Sequence, residues 1–273
     1  MSARRIIGGT IYVLSGAVGV LAFIYPFLVE IPRQSYGQAH SQDAPLVTVA
    51  LVGLSVVALL VELQGREISA RTVALLGVLV AIASVLRFVE NAVPGPGGFS
   101  PIFAPIILAG YVFGSRFGFL MGAFTLLTSA LITGGVGPWL PYQMFTAGWT
   151  GMTAGWLSHM VHRVLHPAPR VKEKLEFVIL CVFGFAWGLL YGAIVNLWFW
   201  PWAVGAPEQT WTPGLGLWET LRRYGAFYLV TSLVWDTARA AGNVTLLLLL
   251  GPAMLRALSR FRQRFYFEVC TDA

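Results

Sequence analysis

Residues 71–90 read Arg71-Thr-Val-Ala-Leu-Leu-Gly-Val-Leu-Val-Ala-Ile-Ala-Ser-Val-Leu-Arg-Phe-Val-Glu90, an apolar run with the length of a membrane-spanning helix. A helix needs about 20 residues to cross roughly 30 Å of hydrocarbon. Short polar or Gly/Pro breaks separate this run from similar stretches along the chain. The eight predicted helices cover residues 6–29, 45–63, 71–90, 100–114, 117–133, 140–163, 175–200 and 222–251. The fourth and fifth are short, so one of them is expected to be tilted or partly re-entrant.

The composition of the 273-residue chain agrees, because 57% of its residues are hydrophobic and only 11% are charged. Soluble domains carry roughly 25% charged residues. The first apolar stretch is too long for a cleavable signal peptide and is interpreted as a spanning helix. Cys181 and Cys270 do not indicate a disulfide framework. The expected fold is an all-α, polytopic transmembrane bundle of about eight helices.

The basic residues are distributed unevenly between the two sides of this predicted bundle. One side receives Arg4, Arg5, Arg66, Arg71, Arg116, Arg163, Arg170, Lys172, Lys174, Arg256, Arg260, Arg262 and Arg264. The other side receives only Arg33. Because cytoplasmic loops hold the excess of Lys and Arg, both termini are predicted to be cytoplasmic. The net charge of +6 is then a topology signal, and no nucleic-acid partner is expected.

The loops predicted to face outside are nearly uncharged and rich in Gly, Pro and aromatic residues. They cover residues 91–99, 133–143 and 201–218. Gly and Pro fix turns and let the backbone approach closely, so these loops suit a lid over an organic ligand. An aromatic belt at the membrane surface is the alternative interpretation.

Ionisable residues inside spanning helices are costly and usually functional. Arg87 and Glu90 lie near the outer end of the third predicted helix, and Asn91 follows them. The last predicted helix carries four polar residues whose spacing places them on one face: Ser232, Asp236, Arg239 and Asn243. Asp236 and Arg239 can pair with each other and serve packing alone. Arg87 sits where the outer loops converge and is a candidate ligand contact.

Small residues recur every fourth position in two parts of the chain, which predicts closely packed helices. The two sets are Gly110, Gly114, Gly118, Gly122 and Gly184, Gly188, Gly192.

His159, His162 and His166 could share one helix face, as a metal site requires. They lie beside Arg163 at the cytoplasmic end, where a cationic helix end is the simpler interpretation. No metal or cofactor is therefore predicted. The chain also lacks a Gly-x-x-x-x-Gly-Lys phosphate loop, a Gly-x-Ser-x-Gly elbow and a Cys/His cluster with zinc spacing. Hydrolysis of ATP by this chain is not expected.

Three segments in the middle of the chain form a recognisable set. They are Gly98-Phe-Ser-Pro-Ile-Phe-Ala-Pro-Ile-Ile-Leu-Ala-Gly-Tyr-Val-Phe-Gly114, Arg116-Phe-Gly-Phe119 and Thr133-Gly-Gly-Val-Gly-Pro-Trp-Leu-Pro-Tyr-Gln-Met144. With Thr231-Ser-Leu-Val-Trp-Asp236 and Ala240-Ala-Gly-Asn243, they resemble the substrate-specific S components of energy-coupling factor (ECF) transporters. The similarity covers about residues 68–267 and is closest to members assigned to cobalamin-type uptake.

The resemblance implies a six-helix core, at residues 67–273, that binds a vitamin from outside a prokaryotic cell membrane. Its implied partners are a transmembrane coupling protein and two ATPase subunits. Family members often carry an Ala-x-x-x-Ala patch that packs against the coupling protein; Ala70 and Ala74 match it, and Gly77 and Ala81 extend it. Residues 1–66 depart from the family as two additional N-terminal helices.

The expected binding site lies at the outer ends of the core helices. Its candidate contacts are Arg87, Asn91, Phe99, Trp139, Tyr142, Gln143, Trp149 and Asn196. Aromatic side chains would stack on a ring, amides would donate hydrogen bonds, and Arg87 would favour an anionic group. The resemblance makes cobalamin the first candidate ligand. The alternatives are a membrane enzyme that uses Asp236, Arg239 and the histidines, a scaffold protein that docks through the glycine faces, and a secondary transporter.

Overall fold

The computed structural model describes residues 3–28, 70–93, 95, 97–164 and 169–265, and isolated residues between 46 and 57. Most of these residues are helical, and none of them is in a strand. The α-helices are α1 (Ala3–Ile24), α2 (Ala70–Ala92), α3 (Phe103–Phe113), α4 (Ser115–Thr133), α5 (Leu140–Val164), α6 (Pro169–Val195), α7 (Leu217–Thr231) and α8 (Leu233–Phe265). Single 3-10 turns follow at Tyr25–Phe27, Asn196–Trp198 and Trp200–Trp202.

Four of these helices contain segments long and apolar enough to cross a membrane. The segments are Arg71–Ala92, Ser115–Thr133, Glu173–Trp198 and Leu233–Gln263. The all-α membrane bundle expected from the sequence is confirmed. The second predicted helix, residues 45–63, falls almost entirely outside the described residues, and so does the proposed boundary between residues 66 and 67.

The prediction of one continuous helix over residues 222–251 is wrong, because the chain breaks at Ser232. The Thr231 hydroxyl donates to the Phe227 carbonyl, at 2.7 Å, and the Ser232 N–H closes the last turn of α7. The Asn196 amide also donates to the Ser232 hydroxyl. This contact ties the break at Ser232 to the 3-10 turn that follows α6.

Helices α3, α4 and α5 form the interior of the bundle. Helix α3 has 11 residues, so it is about 17 Å long and too short to cross the hydrocarbon alone. Nearly all of its side chains are buried, and irregular backbone at its ends is tolerated where protein surrounds it. Gly114, at φ 95°, makes the sharp turn between α3 and α4, a conformation that favours glycine.

The predicted glycine faces pack as expected, with one exception. A Cβ at Gly110, Gly118 or Gly122 would lie within 2.2 Å of a carbonyl oxygen of α5. Gly114 makes the turn and has no close neighbour at its Cβ position. Small residues thus let α3 and α4 approach α5 backbone to backbone.

Helices α6 and α8 pack against each other through the second glycine face. A Cβ at Gly188 would stand 2.3 Å from the Ala240 Cα atom, and Gly192 faces the Asp236 carboxylate.

The two ends of the bundle differ in the residues that they carry. The outer end holds the last turns of α2, α4 and α6 and is predicted to face outside; the basic end, opposite, holds Lys174, Arg256 and Arg262.

Helix α1 docks on the outside of α5 through aromatic contacts. Phe23 meets Tyr142 edge to face, with ring centroids 5.0 Å apart, and Trp149 at 5.8 Å. A Cβ at Gly19 would collide with the rings of Phe145 and Trp149. The first N-terminal helix is thus an integral part of the described bundle.

Helix α7 is a short amphipathic helix before the break at Ser232. Leu217 and Trp218 are exposed at its start, while Arg222 and Arg223 both pair with Glu219 at 2.8–2.9 Å. Hydrogen bonds from Arg222 and then Arg223 lower the pKa of the Glu219 carboxyl to about 2. This ion cluster therefore stays charged throughout the physiological pH range.

Candidate functional site

A cavity of about 200 Å³ opens at the outer end, between α2, α4, the loop after α4 and the first turn of α5. Four of the eight predicted contacts line it together. The lining residues are Arg87, Asn91, Leu126, Ser129, Ala130, Thr133, Gly135, Trp139 and Gln143. Polar side chains from two parts of the chain that are distant in sequence, 87–91 and 129–143, thus converge on one small space.

Arg87 is held at this cavity by a chain of polar contacts. Its Nη1 atom lies 3.4 Å from Glu90 Oε1, and its side chain is 24% exposed. The Ser100 hydroxyl donates to Glu90 Oε2 at 2.6 Å. Glu90 therefore links the end of α2 to the loop before α3 and fixes the position of the guanidinium.

The far wall of the cavity is built by the turn that ends α4. Gly134 adopts φ 68° there, and the Gly135 N–H bonds back to the Ala130 carbonyl at 2.9 Å. A glycine in the left-handed conformation is a common way to stop a helix. The Trp139 indole N–H donates to the Gly135 carbonyl at 3.2 Å, so the turn carries the tryptophan to the cavity mouth.

The other four predicted contacts lie elsewhere. Tyr142 is fully buried between Phe23 and Trp198. Trp149 belongs to the aromatic contact that holds α1. Of the remaining pair, Phe99 packs against Gly242 of α8, and Asn196 bonds to Ser232 at the break before that helix.

The polar stripe of α8 faces α6. Asp236 is 1% exposed and pairs with Arg239, whose guanidinium carbon also lies 5.1 Å from the Tyr191 ring centroid. The Asn243 amide donates to the Gly184 carbonyl at 2.9 Å. Asp236, Arg239 and Asn243 thus all contribute to the contact between α6 and α8. Ser232, the fourth residue of the stripe, lies at the break before α8.

The predicted docking patch forms an exposed strip on α2. Ala74, Gly77 and Ala81 are exposed, and a Cβ at Gly77 would meet no atom within 4 Å. The side chain of Ala70 lies outside the described residues. The strip is exposed within the described part of the chain, as a docking surface requires.

The histidines lie at the basic end, away from the outer cavity. His162 stands 3.8 Å from Glu176 Oε1, His159 is exposed, and His166 falls outside the described residues. Among the residues described, no group of three His, Cys, Asp or Glu side chains could hold a metal ion.

Sequence reasoning missed two features of the molecule. Ser129 and Thr133 line the outer cavity, and their spacing of four residues on a helix near the outer loops is the signal that could have found them. The basic end contains a second and larger cavity, of about 660 Å³, between α3, α5, α6 and α8. Nothing in the linear sequence brings those four segments together.

The fold and the outer cavity define a helical membrane protein with a small polar site at one end of its bundle. A family model described as the ECF transporter substrate-specific component matches residues 71–251. No curated protein and no solved structure matches the chain in the same comparisons. The match covers more than half of the chain, which therefore belongs to the ECF substrate-specific component family. Members of this family are transport subunits and not enzymes.

Proposed function

We propose that the chain captures a small organic nutrient in its outer cavity and delivers it through an ECF transporter. The observation that carries the proposal is the convergence of Arg87, Asn91, Trp139 and Gln143 on one space. Two amides and a guanidinium offer directed hydrogen bonds, and the indole offers a flat apolar surface. Sites for organic ligands usually combine a few polar anchors with apolar walls.

The charge of Arg87 favours a ligand with an anionic group. Glu90 accepts hydrogen bonds from both Arg87 and Ser100, so its carboxylate is shared between two donors. The long contact of 3.4 Å between Arg87 and Glu90 leaves the other guanidinium N–H groups for the ligand. Electrostatic attraction is strong at such a half-buried position because water screens it less than at a surface.

The size of the cavity bears on which ligand binds. Sites for drug-sized molecules enclose about 300–1,000 Å³, and this cavity measures about 200 Å³. A compact anionic vitamin requires little rearrangement. Cobalamin, the first candidate from the resemblance, requires the turn at 134–139 to move away from the end of α2 before it enters.

The partners follow from the family and from the exposed strip on α2. We propose that Ala74, Gly77 and Ala81 contact a transmembrane coupling protein driven by two ATPase subunits. The ligand closes the outer loops, the subunit tilts on its partner, and ATP hydrolysis on separate chains resets the cycle. The setting is a prokaryotic cell membrane with both termini in the cytoplasm.

The packing argues against the two main alternatives. A scaffold would dock through its glycine faces, but both faces are occupied by helices of this chain. An enzyme would bring Asp236 and the histidines to one site, but Asp236 packs against α6 near the outer end while His162 lines the cavity at the basic end.

Co-purification tests the proposal. The tagged full chain is expressed with its membrane partners and analysed by native mass spectrometry. We expect two ATPase subunits, one coupling protein and a bound small molecule. Recovery of the chain without ATPase subunits and without a ligand, from cells supplied with vitamins, would contradict the proposed function.

A further inference from the structure

The larger cavity, at the basic end, has features of a binding site that the transport proposal does not use. Its volume of about 660 Å³ is more than three times that of the outer cavity. It lies between the last turn of α3, the end of α5, the start of α6 and the end of α8. Four helix ends thus surround a space large enough for an organic molecule.

The charged groups of this cavity favour an anion. Lys174, Arg256 and Arg262 line it, and none of the three forms an ion pair with any residue that the structure describes. Two carboxylates also line it, Glu173 and Glu176. Three cationic side chains against two carboxylates leave the lining with a net positive charge, and His162 Nε2 lies 3.8 Å from Glu176 Oε1.

A buried hydroxyl supplies a second, independent indication of a ligand. Tyr111 lines the cavity and is only 5% exposed. Its hydroxyl has no hydrogen-bond partner among the described residues. Buried polar groups in folded proteins are nearly always hydrogen-bonded. An acceptor from outside the chain, such as a phosphate oxygen, would satisfy it.

The remaining lining is apolar and continues onto the membrane-facing side of the bundle. Val112, Phe177 and Leu255 line the cavity. Just before it, Leu248 and Leu249 of α8 are exposed, by 56% and 72%. A bound molecule can therefore place a charged group among the cations and an apolar part along α8.

We propose that this cavity binds the headgroup of an anionic phospholipid. The phosphate would sit among Lys174, Arg256 and Arg262 and accept a hydrogen bond from the Tyr111 hydroxyl, while the acyl chains follow Leu255 and the exposed leucines. Basic pockets between membrane helices are typical sites for anionic lipid headgroups. A soluble phosphate would use the cations but not the apolar lining.

The test uses the delipidated full chain and two lipids with identical acyl chains, phosphatidylglycerol and phosphatidylcholine, titrated by native mass spectrometry. We expect tighter binding of phosphatidylglycerol. The Arg256→Gln/Arg262→Gln variant should bind it about 25-fold more weakly, at about fivefold per charge. Arg260→Gln is the matched control, because Arg260 is exposed on the same helix and does not line the cavity; it should stay within about twofold.

A second variant keeps the test independent of folding. Tyr111→Phe retains the ring and removes only the hydroxyl, and should weaken phosphatidylglycerol binding about fivefold. Equal affinity for the two lipids, or an equal loss in Arg260→Gln, would overturn the proposal. Binding of glycerol 1-phosphate as tight as that of the lipid would assign the site to a soluble anion instead. Loss of coupling-protein binding in the double variant, with phosphatidylglycerol affinity unchanged, would assign it to protein docking.

Discussion

Arg87 is the single residue on which the proposed ligand chemistry depends most. The sequence placed it near the outer loops because an arginine inside an apolar run must lie near a helix end or meet a partner. Asn91, Trp139 and Gln143 were found by the same argument from topology. Tyr142 could not be assigned this way, because its neighbour Phe23 comes from a helix distant in sequence.

Replacement of Arg87 should weaken ligand binding more than it changes the fold. A hydrogen bond to a charged group contributes about 1.5–3 kcal/mol, so Arg87→Gln should reduce affinity about 10- to 150-fold. Arg87→Lys keeps the charge but loses the planar fork of the guanidinium, so its ligand affinity should lie between that of the unchanged chain and that of Arg87→Gln. Isothermal titration of the purified chain with the co-purified ligand measures both; unchanged affinity in Arg87→Gln would remove Arg87 from the site.

Asp236 and Arg239 should behave as a structural pair. Removing one partner leaves a buried charge uncompensated and costs about 3–5 kcal/mol. We expect Asp236→Ala and Arg239→Ala each to lower the free energy of unfolding by that amount, and the double variant to lose little more than either. Equilibrium unfolding of the unchanged chain, the two single variants and the double variant in mixed micelles measures this double-mutant cycle. Losses that simply add would show that the two side chains act independently.

At the scale of helices, the sequence predicted which segments are helical better than it predicted where they end. Apolar length located α2 and α6, which are mostly exposed on the bundle, because lipid-exposed helices must be continuous and apolar; it also located α4, which is apolar but lies in the interior. It missed the break at Ser232, since the hydrogen bond from Asn196 that holds it is a tertiary contact. Helix α5 is not among the apolar spans; it lies inside the bundle, where Thr146 and Thr150 bond to carbonyls of their own helix.

The contact between α6 and α8 should be intolerant of a single methyl group. A Cβ at Gly188 would press on the Ala240 backbone at 2.3 Å. We expect Gly188→Ala to destabilise the chain by about 1–3 kcal/mol through overpacking. Gly225→Ala, on α7, is the control: its Cβ meets nothing within 4 Å, and alanine should stabilise that helix by up to about 1 kcal/mol. Equal unfolding midpoints for the two variants would contradict the close packing.

The exposed strip on α2 should matter for coupling and not for stability. Gly77→Leu adds a bulky side chain where no atom of the described bundle lies within 4 Å. We expect thermal unfolding at the same or a slightly higher temperature, because leucine is a better helix former than glycine, and unchanged ligand affinity, but loss of co-purifying coupling protein and of ATP-dependent uptake. Val85→Leu, on the same helix and also exposed, is the control for added bulk. Normal uptake in Gly77→Leu would place the docking surface elsewhere.

For the whole molecule, composition and charge distribution were enough to predict a helical membrane bundle, and short motifs were enough to indicate the family. The residues matched by the family model, 71–251, lie inside the range predicted from the resemblance. What the sequence could not show is which segments meet. The two cavities depend on contacts among several helices, and the docking of α1 depends on aromatic side chains of both α1 and α5.

The central claim is that the outer cavity captures the transported nutrient. Equilibrium binding of a vitamin panel that includes cobalamin, to the purified full chain and to Gln143→Ala, tests it most directly. Gln209→Ala is the matched control, because Gln209 lies in an outer loop and does not line the cavity. We predict that one vitamin binds at micromolar concentration or below, that Gln143→Ala weakens it about 5- to 10-fold, and that Gln209→Ala leaves it unchanged. Binding of no vitamin, or equal binding by all three proteins, would contradict the claim.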